Sequence, residues 1–334
     1  MCLVIMMISF PLYADVSGEK RETPYAFSMA IQGGFLWGQG EEIVYSGNNY
    51  RNNSPYVSQL LWDYKPLVLA GLYLDYGPRY PWITKGLYTS LSFKYGLPLG
   101  TGIMENRDWL AMGSDELSNY SQHDAFSRSS LDELFEGYGS FTANLLFGYS
   151  FALINRLWIK PYGELSFMRF SWAARDGYWQ YGEYLYGDYY KPIDSKSPIN
   201  FHYGPIINYS QNWFIIAAGI EAGVNINDHL LFSIFAGITP LIFGAHRDDH
   251  LHVTKTNTYL DYLFGGLYIN AGITLEYYFN RKIALALSAV YMNLDGSRGD
   301  THISEFGGPY IIHQGSGGGG FSFMDFALRL RYIF

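Results

Sequence analysis

The chain has 334 residues, of which 19% are aromatic, only 16% are charged and 37 are glycine. After the first fifteen positions there is no uninterrupted apolar run of the roughly 18 residues that a membrane-crossing helix needs, which excludes a helical membrane protein. The net charge of −8 gives no reason to expect nucleic acid, which calls for a basic surface, and suits cationic peptides or proteins as partners.

Residues 1–14, MCLVIMMISFPLYA, read as the apolar core and end of a signal peptide cleaved after Ala14, without the usual basic leading segment. The only cysteine, Cys2, falls inside it. A mature chain of residues 15–334 then has no thiol, so Cys nucleophiles, Cys metal sites and disulfides are excluded.

Ten strand-like segments follow. In the first, Ala26 to Tyr45, Phe27, Met29, Ile31, Phe35 and Trp37 share one face, and Ser28, Ala30, Gln32, Gly34 and Glu42 the other. A polar loop over 46–54 leads to the second, Tyr56 to Tyr76, which turns at 77–81. The third, Ile83 to about Ile103, alternates Leu87, Leu91, Phe93, Tyr95 and Leu97 with Ser90, Ser92, Lys94 and Gly96. After a polar loop over 105–136 come the fourth (139–153), a tight turn at 155–156, and the fifth (158–175). A Tyr-rich loop over 176–205 precedes the sixth, Tyr209 to Asn225.

The seventh, Leu230 to about His252, begins with Leu230, Phe232, Ile234, Ala236 and Ile238 opposite Ser233, Gly237 and Thr239. It ends in the polar cluster His246-Arg247-Asp248-Asp249-His250. The eighth, Tyr259 to Phe279, sets Leu263, Leu267, Ile269, Ile273, Leu275 and Tyr277 outward and Tyr268, Asn270, Thr274 and Glu276 inward. The ninth spans 283–294, and a Gly-rich loop is expected over 295–320. In the tenth, Phe326, Leu328, Leu330, Tyr332 and Phe334 alternate with Ala327, Arg329 and Arg331.

Long and short connections alternate without exception. With a mean hydropathy near zero (−0.04), this predicts an all-β fold: a ten-stranded antiparallel up-and-down transmembrane β-barrel. Segments of about twenty residues exceed the roughly 9–11 that a spanning strand needs, so the barrel stands out of the membrane on its long-loop side. A soluble sandwich would leave the last apolar ladder on an aggregation-prone edge.

Parity can be carried upward from the membrane part of the strands. It puts Glu42 on the first strand and Met104, Asn106 and Asp108 on the third inside. On the seventh it fails, because Asp248 and His250 share the parity of lipid-facing Phe232 and Ile234. Pro240 cannot donate a ladder hydrogen bond, so a bulge there that slips the register is expected to turn the pair inward.

At the rim the chain resembles the omptins, a family of ten-stranded outer-membrane endopeptidases with an extracellular cleft. The family's Asn-Met-x-Asp-x-Asp-Trp corresponds to Ile103-Met104-Glu105-Asn106-Arg107-Asp108-Trp109, and its Asp-Glu-His to Asp248-Asp249-His250. Val57-Ser58-Gln59-Leu60, Glu42-Ile43-Val44-Tyr45 and Ala174-Arg175-Asp176-Gly177 match further elements in the same order.

The resemblance implies water activated by Asp248 and His250, with Asp108 and Asn106 opposite, and a substrate recess of Glu42, Met104 and His246. Two departures stand out: Asn106 replaces one family aspartate, and His246 replaces the aspartate two residues before Asp248. Loss of that inward charge predicts relaxed selection for a basic residue. No metal or other cofactor is implied. The family binds lipopolysaccharide on its outer barrel; Arg169 matches a basic contact, but Leu165, Phe167 and Tyr209 stand where the family has Tyr, Glu and Arg. Arg169 equally suits an interfacial cation.

His123 in the long loop reads as a loop contact, and His202, His229, His252, His302 and His313 lack metal-ligand spacing. Gly315 to Gly320, GSGGGG, precedes no helix and reads as a loop rather than a phosphate cradle. The expected function is a monomeric surface endopeptidase acting on cationic peptides or proteins. Its alternatives are a catalytically impaired barrel that binds proteins, and a porin, which the inward Tyr268, Lys94 and Glu276 oppose by filling a narrow lumen.

Overall fold

The computed structural model describes residues 24–45, 56–79, 81, 84–97, 101–109, 125–132, 139–153, 156–186, 189–191, 193–251 and 256–334. The proposed signal segment, His123 and His252 lie outside these residues. Alternating apolar and polar side chains build ten staves, each antiparallel to the next. They are Tyr25–Tyr45, Tyr56–Pro78, Gly86–Leu97 with Thr101–Asp108, Ala125–Asp132 with Phe141–Ala152, and Leu157–Tyr181. Ile199–Asn225, Leu230–Thr239 with Ile242–Leu251, Thr256–Phe264 with Leu267–Tyr278, Ile283–Ser304 and Ile311–Ile333 complete the set. The tenth pairs with the first from Ile333 opposite Ser28 to Gly317 opposite Val44. Closure leaves no free edge, which is what an all-β chain needs to cross lipid.

Period-2 patterning decides which side faces lipid. Ile31, Leu87, Ile234, Ile273, Leu328 and Phe334 are exposed on the outer wall, while Ser28, Ser90, Ser233 and Asn270 are buried inside. The sixth strand runs for 27 residues, far beyond the roughly 9–11 that spanning requires, so its upper part stands clear of the bilayer.

Six expected boundaries move, at the two flanks of each of three expected loops. The third strand continues to Asp108, and the fourth begins at Ala125, so both borrow from the expected 105–136 loop. Likewise the fifth and sixth take the flanks of 176–205, and the ninth and tenth fill most of 295–320. The glycine run is strand rather than loop, with Gly317 to Gly320 buried. Bulky neighbours explain it: a Cβ on Gly318 would lie 2.3 Å from a Tyr45 ring carbon, and one on Gly319 2.7 Å from His246 Cε1.

A belt of bulges crosses three staves at one level. Ala218 and Ile215 on the sixth strand face Ile238 and Ile242 on the seventh, so three steps oppose four. The ladder hydrogen bond resumes with the Ile216 N–H donating to the Leu241 carbonyl at 3.1 Å. The seventh strand stays in step with the eighth, and the eighth with the ninth. The extra residue is absorbed between the ninth and tenth, where Leu294 and Ser297 face Phe321 and Gly319. Pro240, the Gly265-Gly266 pair (φ +70° and +93°) and Gly296 (φ +74°) occupy this level. Here the chain breaks its ladder, and glycine accepts the positive φ without strain. The bulge expected at Pro240 is therefore present. Its continuation through the eighth strand overturns one assignment: Leu263 is fully buried inside rather than facing lipid.

Aromatic side chains fill the lumen at mid-height. Trp62 stacks on Tyr209 (4.8 Å between centroids), Tyr64 on Trp172 (5.0 Å), and Phe170 packs on Phe323 (4.6 Å). Some of the layer's polar tips find partners, whereas the Trp62 and Trp172 indole nitrogens are buried without one. The Tyr64 hydroxyl donates to the Ser171 carbonyl (3.1 Å), and the Trp213 indole to Gln211 Oε1 (3.1 Å). Below this layer lies a cavity of about 280 Å³. Ion pairs line it, Lys94 with Asp325, Lys160 with Glu221, and Arg331 with Glu276 at 2.6 Å. The aromatic layer separates that cavity from the upper rim.

Candidate active site

Above the bulge belt the seventh strand presents its even-numbered residues to the lumen. His246 and Asp248 are each 3% exposed, and His250 sits higher, at the open end. Side chains two apart on a strand share a face, so Asp248 reaches its neighbour directly: His250 Nε2 donates to Asp248 Oδ2 at 2.7 Å. The Tyr259 ring lies 4.9 Å from the imidazole. On the outer face the intervening Asp249 is held by Arg247 Nε (2.7 Å) and the Thr258 hydroxyl (2.6 Å), which pins the strand on the far side of the pair.

The third strand brings Met104, Asn106 and Asp108 inward, as the parity count expects. Met104 is 1% exposed. The Asn106 amide donates to Asp108 Oδ2 at 3.1 Å, and its carbonyl oxygen accepts from the Ser58 hydroxyl at 3.0 Å. Ser58 belongs to the Val-Ser-Gln-Leu segment; its place beside Asn106 follows from Ser58 facing Asp108 across the ladder.

Electrostatics tie the two walls together. Burial opposes a charge on His250, but Asp248, by charge and hydrogen bond, then Asp108 and Asp249, outweigh it and raise the imidazole above its ordinary range. Asp108 thus acts on His250 from the opposite strand. His246 behaves differently. It is sealed against Trp213 (4.5 Å, edge to face), its Nδ1 is 3.0 Å from the Tyr209 hydroxyl, and burial pushes it down to about 3. It is therefore neutral at physiological pH.

Glu42 comes from the first strand, 3% exposed. Burial, followed by Asp248 and Asp261, holds its carboxyl well above the usual range. Asp261 is the residue that reading the sequence missed. It faces His246 across the ladder, but parity carried up from Leu267 sends it outward with Leu263. Only the Gly265-Gly266 pair signals the flip. Tyr209 also differs from its expected place, since it lies in the inner aromatic stack, away from lipid. Arg169 faces outward and donates to Asn212 Oδ1 at 2.8 Å. Among the described residues no cluster of three or more His, Cys, Asp or Glu side chains is arranged to hold a metal ion.

The fold and the rim together define a class: a closed ten-stranded outer-membrane barrel with an aromatic floor and a cleft bearing carboxylates and histidine. The omptin family model matches residues 23–334, and the chain belongs to the omptin family, whose members are surface-facing outer-membrane proteases. It is 22% identical over 324 residues to the plasminogen activator of Yersinia pestis, covering 93% of this chain and 91% of that one. Its fold is shared with the outer membrane protease OmpT of Escherichia coli. That comparison has a TM-score of 0.76 and 16% identity, and covers 93% of this chain and 98% of the other.

Proposed function

We propose that the chain is a cell-surface endopeptidase in which His250, oriented by Asp248, takes a proton from the water that attacks the substrate carbonyl. With Nε2 engaged by Asp248, Nδ1 is the nitrogen left to accept that proton. Asp108 faces the pair and holds the other side of the water, and the Asn106 amide positions the Asp108 carboxylate. No covalent enzyme intermediate is required, and the nucleophile is water. Asp248 stabilises the imidazolium as it forms, and the same ion pair then favours return of the proton to the leaving amine. Glu42 and Met104 line the recess for a substrate side chain, and Arg169 is an outer-wall cation for a lipid headgroup.

The observation that carries this reading is the 2.7 Å His250–Asp248 bond, made at the open end of the barrel and reinforced by Asp108 from the opposite strand. Neighbouring carboxylates orient an imidazole and tune it toward neutral pH, as a general base needs.

Refolded protein and its His250→Ala variant should be compared on a peptide library that is not restricted to basic sites. Cleavage by the first and background traces from the second are expected. Equal background traces from both would remove the peptidase and leave a protein-binding barrel. Asn106→Asp tests the opposite wall, because restoring a carboxylate beside Asp108 gives that side a second proton acceptor, and faster hydrolysis is expected.

A further inference from the structure

The cavity in the lower lumen reaches the short-turn end of the barrel, where Ala26, Pro78 and Ile333 line it. The aromatic layer closes it above, so it is entered from the periplasm and is separate from the rim cleft. Its free space is about 280 Å³. One water takes roughly 10–15 Å³ of such space, so a small organic molecule fits. Four ion pairs occupy seven of the charged side chains around it: Lys94 with Asp325, Lys160 with Glu221, and Arg331 with both Glu276 and Asp75. Away from the mouth, two charged side chains stand outside this network. Glu164 and Arg329 line the cavity and form no ion pair among the described residues.

Glu164 comes from the fifth strand and Arg329 from the tenth. In a ring of ten staves they sit on opposite walls and face each other across the lumen. Glu164 is 7% exposed, and its carboxylate accepts from two neutral donors, the Ser166 hydroxyl (2.5 Å) and the Asn270 amide (3.0 Å). The Arg329 guanidinium carbon lies 4.8 Å from the Tyr73 ring centroid, and its buried Nε has no hydrogen-bond partner. The Tyr162 hydroxyl and the Trp158 indole nitrogen, on residues 6% and 4% exposed, also line the cavity buried and unpartnered. Gly237 keeps the space beside Tyr162 open, since a Cβ there would collide with Asn270 Oδ1 and lie 3.1 Å from the Tyr162 hydroxyl.

Buried charge is unfavourable unless paired and hydrogen-bonded. The two lone charges are opposite in sign but project from opposite walls, with the cavity between them. Their missing partners are therefore one cation and one anion. A molecule carrying both meets the whole set: an ammonium brings three donors to Glu164, and a carboxylate accepts from the fork of N–H groups that a guanidinium presents. A cation alone leaves Arg329 without a partner, and an anion alone leaves Glu164 without one. We propose that the lower lumen is a periplasm-facing binding site for a small zwitterion, an amino acid or an ω-amino homologue, held by its ammonium on Glu164 and its carboxylate on Arg329. The site is independent of peptide hydrolysis at the rim.

The probes are glycine, γ-aminobutyrate and ε-aminohexanoate, whose two charges stand progressively further apart. For each, the amine and the carboxylate of matching length serve as half-ligands. Binding to the detergent-refolded full chain is followed by titration calorimetry. The best zwitterion is expected to bind at least about tenfold more tightly than either of its halves, because each buried charge contact has effects of that size or larger. Glu164→Gln should bring it level with its carboxylate half, and Arg329→Gln should bring it level with its amine half. Arg329→Lys keeps the charge and should retain a preference for the zwitterion, which separates a lost contact from a lost fold. The wild-type comparison stands whether or not a variant refolds.

Equal binding of a zwitterion and its amine leaves a plain cation pocket and overturns the proposal. Equal binding of a zwitterion and its carboxylate does so from the other side. Silence from every probe makes the cavity a solvent-filled space and overturns it too, as do variants that weaken all ligands alike. Peptide cleavage tests a different claim, and its failure leaves this one standing.

Discussion

Asp248→Asn separates the orienting carboxylate from the base it serves. The 2.7 Å bond to His250 is charge-assisted, and such bonds contribute about 1.5–3 kcal/mol. Its loss should lower the imidazole's pKa, because Asp248 is the largest of the influences that raise it. The ring is 36% exposed, so solvent screens part of that contribution. The sign follows from the chemistry. His250 works as a base only when neutral, and in the wild type its raised pKa means that activity is lost as pH falls through a value above the ordinary histidine range. In Asp248→Asn, burial dominates and that acid limb moves to lower pH. The plateau should nevertheless fall by about a hundredfold or more, since the ring loses both its orientation and the charge that stabilises imidazolium. The assay is kcat/KM against pH on one cleavable peptide, which reports the groups of the free enzyme. An acid limb that stays in place would show that His250 is not the titrating base, whatever the loss in rate.

Gly319→Ala puts a methyl group 2.7 Å from His246 Cε1 and 2.9 Å from the Glu41 carbonyl. Overpacking of this kind costs about 1–3 kcal/mol, to be read as a lower denaturation midpoint in detergent. Asp261 makes stability depend on pH. Burial, with Asp248 adding to it, pushes its carboxyl up to about 7 from 3.8, so the folded state holds a proton that the unfolded chain releases. Stability is then greatest below the unfolded value and declines as pH rises toward 7, by at most about 4 kcal/mol. Asp261→Asn should flatten this slope in denaturation curves taken between those limits. Deleting Leu241 removes the extra residue on the seventh strand and returns Asp248 and His250 to the lipid-facing parity. Such a barrel should lose peptide cleavage entirely, and retained activity would show that the bulge does not aim the pair.

The membrane-spanning half of the barrel was legible because its alternation has a period of 2 that lipid on one side enforces. The tenth strand shows this best: Leu328, Leu330 and Tyr332 are exposed on the outer wall, as their spacing predicts. Above the bulge belt the same reading depends on whether the register has slipped. Pro240 could be read as a slip because it lacks an N–H. Gly265-Gly266 carries an equivalent signal, but the surrounding apolar residues allow an unbroken alternation to be drawn through it, which misplaced Leu263 and hid Asp261. The glycine run failed as a strand for a related reason. Glycine is depleted from strands because it offers no side chain to pack, yet here Tyr45 from the adjoining first stave and His246 from the seventh, across the lumen, fill the space that the missing side chains leave.

A neutral histidine at position 246 suits the electrostatics of the wall around it. Glu42, Asp248 and Asp261 already share a small buried volume, and each raises the cost of ionising the next. A carboxylate at 246 as well would bring a fourth acid to the same wall, directly across the ladder from Asp261. A histidine that burial keeps neutral fills the site without adding to the repulsion, and its Nδ1 contact with Tyr209 fixes it to the aromatic floor. Position 246 therefore packs this wall without adding a charge to it. The Gly265-Gly266 bulge brings Asp261 to that wall, because without the slip it would face outward on the barrel.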